Sequence, residues 1–199
     1  GDFKTQADTS CESFEYIKCD HLITETTFAS PEYEHPDPVK VLEELAAENV
    51  NVVIGAYAIG KAQRISKLIT EKFPEIPVYV HPEIIPFNDI YSSFGFDLGT
   101  WKPYRRTEFK EQERSFYIVS PSQFRRFSRN KNVLKVFATG WKQSYYECDR
   151  VLPISDHADW NGLLEMIRQC NPSKIYTVHG DGSFLKQHLS DSKISVEIL

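Results

Sequence analysis

Apolar and polar positions along this 199-residue chain fall into short extended runs and helical stripes that follow one another in turn. Glu15 to Cys19 and Leu22 to Thr26 are short extended runs that predict strands. A polar loop, Ser30 to Pro36, comes next. Asp37-Pro38 then offers an N-cap and a first-turn proline, and Val41, Leu42 and Leu45 share one face of the helix that follows. Asn51 to Ala56 predicts a buried strand, and a helix is expected from about Gly60 to Phe73. Pro77 to His81 predicts another strand. Residues 82 to 114, rich in proline, glycine and aromatic side chains, predict an irregular excursion. Ser115 to Val119, Val133 to Ala138 and Arg150 to Ile154 predict strands, with a short basic helix around Gln123 to Phe127. From there the pattern predicts helix (Ala158 to Cys170), strand (Lys174 to Val178), helix (Ser183 to Leu189) and strand (Ile194 to Leu199). Strand and helix in alternation imply an α/β protein with a parallel sheet and crossover helices. No internal repeat or low-complexity tract interrupts it.

Composition narrows the class. No apolar stretch approaches the roughly 20 residues that span a bilayer, and no signal pattern opens the chain, so a soluble, cytoplasmic protein with no membrane partner is expected. The four cysteines, Cys11, Cys19, Cys148 and Cys170, form no C-x-x-C pair and are expected to be free thiols. The only methionine is Met166 and the chain opens on Gly1, so a processed, tagged or partial polypeptide is expected. Charge is distributed unevenly. Between Trp101 and Lys142, eleven basic residues face three acidic ones, a net of +8 in a chain whose total is −5, which leaves −13 elsewhere. Trp101, Tyr104, Phe109, Phe124, Phe127 and Trp141 interleave with these cations, the mixture that holds a phosphate backbone and stacks on bases. Charge alone leaves a solvated face over ordinary core aromatics equally open.

Gly55 to Lys61 fits G-x-x-x-x-G-K between a strand and a helix, as a P-loop would. The next residue is Ala62, where a Ser or Thr hydroxyl would have to hold Mg²⁺, and Tyr57 and Ile59 are bulky, so a nucleoside triphosphatase is not expected. Lys61 at a helix N-terminus could still receive a single phosphate. Of the six histidines, His21, His35, His81 and His188 lack chemical company in the sequence. His157 and His179 differ. His157 lies between Asp156 and Asp159 where a strand gives way to a helix, although those carboxylates would also serve as helix caps. His179 ends a predicted strand and precedes Gly180, which permits close approach of backbone or ligand. Taken singly, each is as well explained by a structural role.

The whole pattern resembles the β-CASP branch of the metallo-β-lactamase nucleases. Gly1-Asp2-Phe3 looks like the family's G-D motif. Leu22 to Phe28 resembles motif A, with Glu25 as its acidic residue; Ser155 to Trp160 is similar to motif B, and Thr177 to Asp181 to motif C. Between A and B lies the inserted cap that defines the branch. There Ala58 to Gln63 resembles a strand-to-helix turn, and Phe137 to Trp141 resembles the last strand and its substrate-side loop. Histidine at His179, where cross-link repair nucleases usually carry valine, agrees with RNA-processing nucleases and with bacterial exonucleases encoded near DNA ligases. Ser155-Asp156-His157-Ala158-Asp159-Trp160 looks most like the bacterial group.

The resemblance implies the C-terminal half of a metallo-β-lactamase αββα sandwich (residues 1–30 and 147–199) with an inserted α/β cap (31–146) built on a mainly parallel sheet. It implies a nuclease, a DNA exonuclease linked to repair first and an RNA 3′-end processing type second. Two zinc ions, with manganese as the alternative, would be bridged by Asp2, and His179 would ligate one of them. His157 would be the general acid, oriented by Glu25. Lys61, Arg125, Arg126, Arg129, Trp141 and Lys142 would grip the nucleic acid from the cap. One departure is an absence: the family's H-x-H-x-D-H cluster and a further upstream histidine do not occur in these residues. The chain is therefore expected to be the C-terminal part of a nuclease, inactive by itself, whose partners are nucleic acid, the N-terminal half of the same protein and, by association, a DNA ligase. The competing expectation is a nucleic-acid-binding module without catalysis.

Overall fold

In chain order the elements begin β1 (His21–Glu25), α1 (Pro38–Ala46), β2 (Asn51–Gly55), α2 (Lys61–Lys72), β3 (Val78–Val80), α3 (Ile85–Ser93), β4 (Trp101–Pro103) and α4 (Arg106–Glu111). They continue with β5 (Ser115–Val119), α5 (Pro121–Phe124), a 3-10 turn (Arg125–Phe127), β6 (Leu134–Ala138), β7 (Arg150–Leu152), α6 (Trp160–Cys170), β8 (Lys174–Val178), α7 (Ser183–His188) and β9 (Ser195–Ile198). This is a computed structural model and describes residues 1–127 and 130–199. The chain divides into two compact units, one of residues 1–7, 13–35 and 155–199, the other of residues 8–12 and 36–154.

The larger unit holds a six-stranded parallel sheet in the order β4-β3-β5-β2-β6-β7. The central strands β3, β5 and β2 bury both faces, because crossover helices and loops cover both. Val52 and Ile54 of β2 join Phe116 and Ile118 of β5 in a core completed by α1 and α2, while Val53, Tyr117 and Phe137 point to the opposite, aromatic face. The capped start of α1 forms as expected, with the Asp37 carboxylate accepting the Val39 N–H. Gly55 is required where β2 ends: a Cβ there would lie 2.5 Å from the Phe137 ring.

The smaller unit carries a three-stranded parallel sheet, β1-β8-β9, in which Ile23 pairs with Tyr176 and Glu25 with Val178. Helices α6 and α7 cover one face through Trp160, Leu163, Ile167 and Leu185, packed on Ile175 and Leu22. Asp159 caps α6, and Asn171 ends it in the left-handed conformation at φ 51°. Among the described residues, no helix of the structure is long and apolar enough to cross a membrane.

Two expectations need correction. Glu15 to Cys19 is not a strand: Ile17 is 72 % exposed, and the Cys19 N–H pairs with the Cys170 carbonyl at the end of α6 rather than with a neighbouring strand. A short β-prone run forms a strand only where a neighbour offers a ladder partner. Residues 82 to 114 are not irregular throughout, since they contain α3, β4 and α4. Pro86 sits in the first turn of α3, where proline is tolerated, and β4 is a three-residue edge strand ending in Pro103. Elements this short carry too little periodicity to be recognised.

Candidate active site

Glu25 is the last residue of β1, and its side chain is held at 3 % exposure. Burying a carboxylate is costly unless donors surround it, and three do. One oxygen accepts the Phe3 N–H at 2.9 Å; the other accepts the Thr27 hydroxyl at 2.5 Å and lies 2.6 Å from His157 Nδ1. Burial pushes the Glu25 carboxyl up, yet the bonds from His157, Thr27 and the Phe3 N–H outweigh it and hold the group below its ordinary value. Glu25 is thus an ionised acceptor at neutral pH.

The loop ahead of α6 delivers the histidine. Ser155 is buried and its Oγ accepts the His157 N–H at 3.0 Å, which shapes the turn. Asp159 accepts the Gly162 N–H at 2.8 Å as the helix cap, and with its other oxygen the His35 N–H at 2.9 Å. The N-terminal segment straps these pieces together. Phe3 donates its N–H to Glu25 and accepts the Ala158 N–H at 2.6 Å through its carbonyl, so its neighbour Asp2 comes to lie with Oδ2 3.9 Å from His157 Nε2. The edge of the Phe28 ring system closes on the imidazole, at 5.8 Å between centroids and 83° between planes.

A carboxylate that can only accept fixes the proton of His157 on Nδ1, leaving Nε2 as the nitrogen able to exchange a proton or take a metal. Asp2, Glu25 and His157 each offer a ligand atom, all within 4.8 Å of one another. Three hydrogen bonds already engage the Glu25 carboxylate and commit it to orienting its neighbours. That leaves the Asp2 carboxylate and His157 Nε2, donors of suitable chemistry for zinc but fewer than the four ligands such an ion takes. By themselves these side chains do not complete a zinc site.

His179 stands outside that group. It follows β8 in the left-handed conformation, φ 53°, and its side chain is exposed. The turn is set by close approach to β1: the Thr26 N–H donates to the Val178 carbonyl at 2.9 Å, and Gly180, φ 140°, sits where a Cβ would collide with the Thr26 carbonyl. Of the two expected metal ligands, the structure brings Asp2 to His157 and leaves His179 on a neighbouring turn.

The expected nucleic-acid contacts all belong to the larger unit. Lys61 is 4 % exposed, with Nζ 3.5 Å from the Ala138 carbonyl and 5.3 Å from the Tyr57 ring centroid. Arg125 lies over the Tyr146 ring at 5.2 Å, and Arg126 is exposed beside a cleft on the aromatic face. Trp141 and Lys142 are exposed, and the Trp141 N–H donates to Thr139 Oγ1 at 3.2 Å. Arg129 lies outside the described residues. Sequence reasoning overlooked Thr27 and the Phe3 main chain. A hydroxyl two residues after the strand's acidic residue, on the same side of an extended chain, was a usable signal for Thr27; a backbone donor leaves none.

Residues 147–199 match the family described as the Zn-dependent metallo-hydrolase RNA specificity domain, RMMBL. Over 96 % of its length the chain is similar, at 29 % identity, to a protein named probable DNA ligase from Opitutus terrae, and it spans about a fifth of that relative, 20 % of its length. The fold resembles the crystal structure of a protein of unknown function from Enterococcus faecalis V583, with a TM-score of 0.55 and 14 % identity, covering 92 % of this chain and 50 % of the other. The α/β architecture with parallel sheets, the RMMBL match over residues 147–199 and the ligase-named relative together support a likeness to the β-CASP metallo-β-lactamase-fold proteins.

Proposed function

We propose that this chain is the C-terminal part of a metal-dependent nucleic-acid phosphodiesterase, a repair-related DNA exonuclease, in which His157 is the general acid. The observation that carries the reading is the Glu25–His157–Asp2 chain of contacts. A short bond to an ionised carboxylate orients the ring through Nδ1 and directs Nε2 toward a second carboxylate of the metal-binding type. An imidazole so oriented can deliver a proton to a departing oxygen. Glu25 and Thr27 position it; Asp2 and His179 would be metal ligands within a larger donor set. The shortage of donors here and the small share of the ligase-named relative that is spanned both support a longer catalytic polypeptide. DNA is favoured as substrate because the match to that relative covers nearly the whole chain. RNA is the second reading, favoured by the description of the family that residues 147–199 match.

The test is cleavage of end-labelled single-stranded DNA and RNA by the longer polypeptide with zinc or manganese, before and after chelation. The expected result is metal-dependent release of nucleotides, at least about a hundredfold slower in His157→Ala, with no cleavage by residues 1–199 alone. Absence of cleavage of either substrate by the longer polypeptide, or an undiminished rate in His157→Ala, overturns the proposal.

A further inference from the structure

The aromatic face of the six-stranded sheet holds a cleft of about 820 Å³ that the nuclease reading does not use as a distinct site. Its size lies within the roughly 300–1,000 Å³ of small-molecule sites. Arg106 and Lys110, four residues apart and so on one face of α4, line it from one element, and Arg126 lines it from the 3-10 turn after β5. Arg105, not Arg106, takes the α4 carboxylate of Glu108, at 3.3 Å. Among the described residues no aspartate or glutamate lines the cleft. Its wall is a stack: Tyr104 lies on Tyr117 at 3.8 Å and 12°, and Phe127 meets Tyr117 edge-on at 5.7 Å. Tyr117 is 1 % exposed and Tyr104 partly exposed, so Tyr104 is the outer plate, with its neighbour locked behind it.

Three cations without a lining carboxylate select an anion, and would suit inorganic phosphate. A rigid aromatic plate beside them selects a planar, apolar group. A nucleoside phosphate has both in one molecule, whereas an acidic peptide has the charge without the plane. We infer that this cleft is a nucleotide-binding site, taking a base against Tyr104 and its phosphate among Arg106, Lys110 and Arg126. The source of that chemistry is either a free nucleotide or one unit of a single strand. The inference deepens the nucleic-acid reading at Arg126 and rests on it only for the strand as source.

The experiment titrates the chain of residues 1–199, without metal, with AMP, adenosine, inorganic phosphate and a short oligodeoxyadenylate, followed by tyrosine fluorescence and NMR. AMP is expected to bind at least about tenfold tighter than adenosine or phosphate alone, because stacking and charge act together. Tyr104→Leu and Arg126→Gln are each expected to weaken AMP about tenfold, with unchanged circular dichroism; Arg126 is exposed, so its variant stays informative if Tyr104→Leu unfolds. Displacement of AMP by the oligonucleotide identifies the strand as source, and failure to displace it identifies the free nucleotide. The inference is overturned if phosphate or polyglutamate binds as tightly as AMP, or if Arg126→Gln leaves AMP binding unchanged. Metal-dependent cleavage plays no part in this assay, so AMP binding by residues 1–199 with no cleavage by the longer polypeptide sinks the catalytic reading alone, and cleavage by the longer polypeptide without AMP binding sinks this one alone.

Discussion

In the six-stranded sheet β5 is buried at all five positions, whereas in the three-stranded sheet β1 places Ile23 at 67 % exposure next to Thr24 at 3 %. Both sheets are parallel, and the difference is cover. The larger unit packs apolar residues on both faces of its strands; the smaller one packs α6 and α7 on one face through Ile175 and leaves Ile23 on the other. Parallel sheets normally have both faces covered. The half-covered sheet is also the one whose strand ends carry Glu25 and, on the turn beyond β8, His179. Burial is fuller in one unit, and the candidate proton-transfer and metal-binding residues lie in the other.

The contrast can be broken most forcefully in the larger unit. Ile54→Ala empties a site that is 0 % exposed between β2 and its helices, and should cost about 2–5 kcal/mol in urea denaturation; a loss under 1 kcal/mol would show that this sheet is not the tightly packed one. Glu25→Gln comes next. It removes the charge that three donors share and should destabilise the smaller unit by about 1.5–3 kcal/mol. The folded pKa of Glu25 lies below its ordinary 4.5, so its contribution is full above that value and is lost as pH falls through the folded one. The gap between wild type and Glu25→Gln should therefore narrow in acid, and a gap that widened on acidification would refute the ionised-acceptor assignment. Asp159→Ala removes the cap of α6 and should cost about 1 kcal/mol, read from the same unit's transition. The smallest effect is expected on the bare face, where Ile23→Ser should change the stability of residues 1–199 by no more than about 0.5 kcal/mol. A loss of 2 kcal/mol or more would mean that something covers Ile23.

Legibility followed the range of the interactions. The cap at Asp37, the proline start of α1 and the doubly buried runs of β2, β5 and β6 depend on neighbours in sequence, and all could be read from it. The strand expected at Glu15 to Cys19 failed because a strand needs a partner, and that segment bonds to the end of a helix instead. Helices α3 and α4 were hidden because each is short and buries few side chains, Asn88 in one and Phe109 in the other. At the candidate site, Asp2, Glu25 and His157 could be named from their motifs. The family resemblance implied that Glu25 orients His157, but the strap that brings Asp2 to them was not legible, because it depends on Phe3 bonding to Glu25 and to Ala158 through its main chain, which any residue except proline could do.

By itself the amino-acid sequence determined the alternation of strands and helices, the basic stretch between Trp101 and Lys142, and the residue types able to move a proton or bind a metal, since these follow from local periodicity and side-chain chemistry. Only the tertiary structure decided that Glu25 is buried among three hydrogen-bond donors, that His179 lies outside the Asp2–Glu25–His157 group, and that Tyr104, Arg106, Lys110 and Arg126 line one cleft. Those facts rest on contacts between residues far apart in the chain, whose distances are set by how the sheets pair and what covers them.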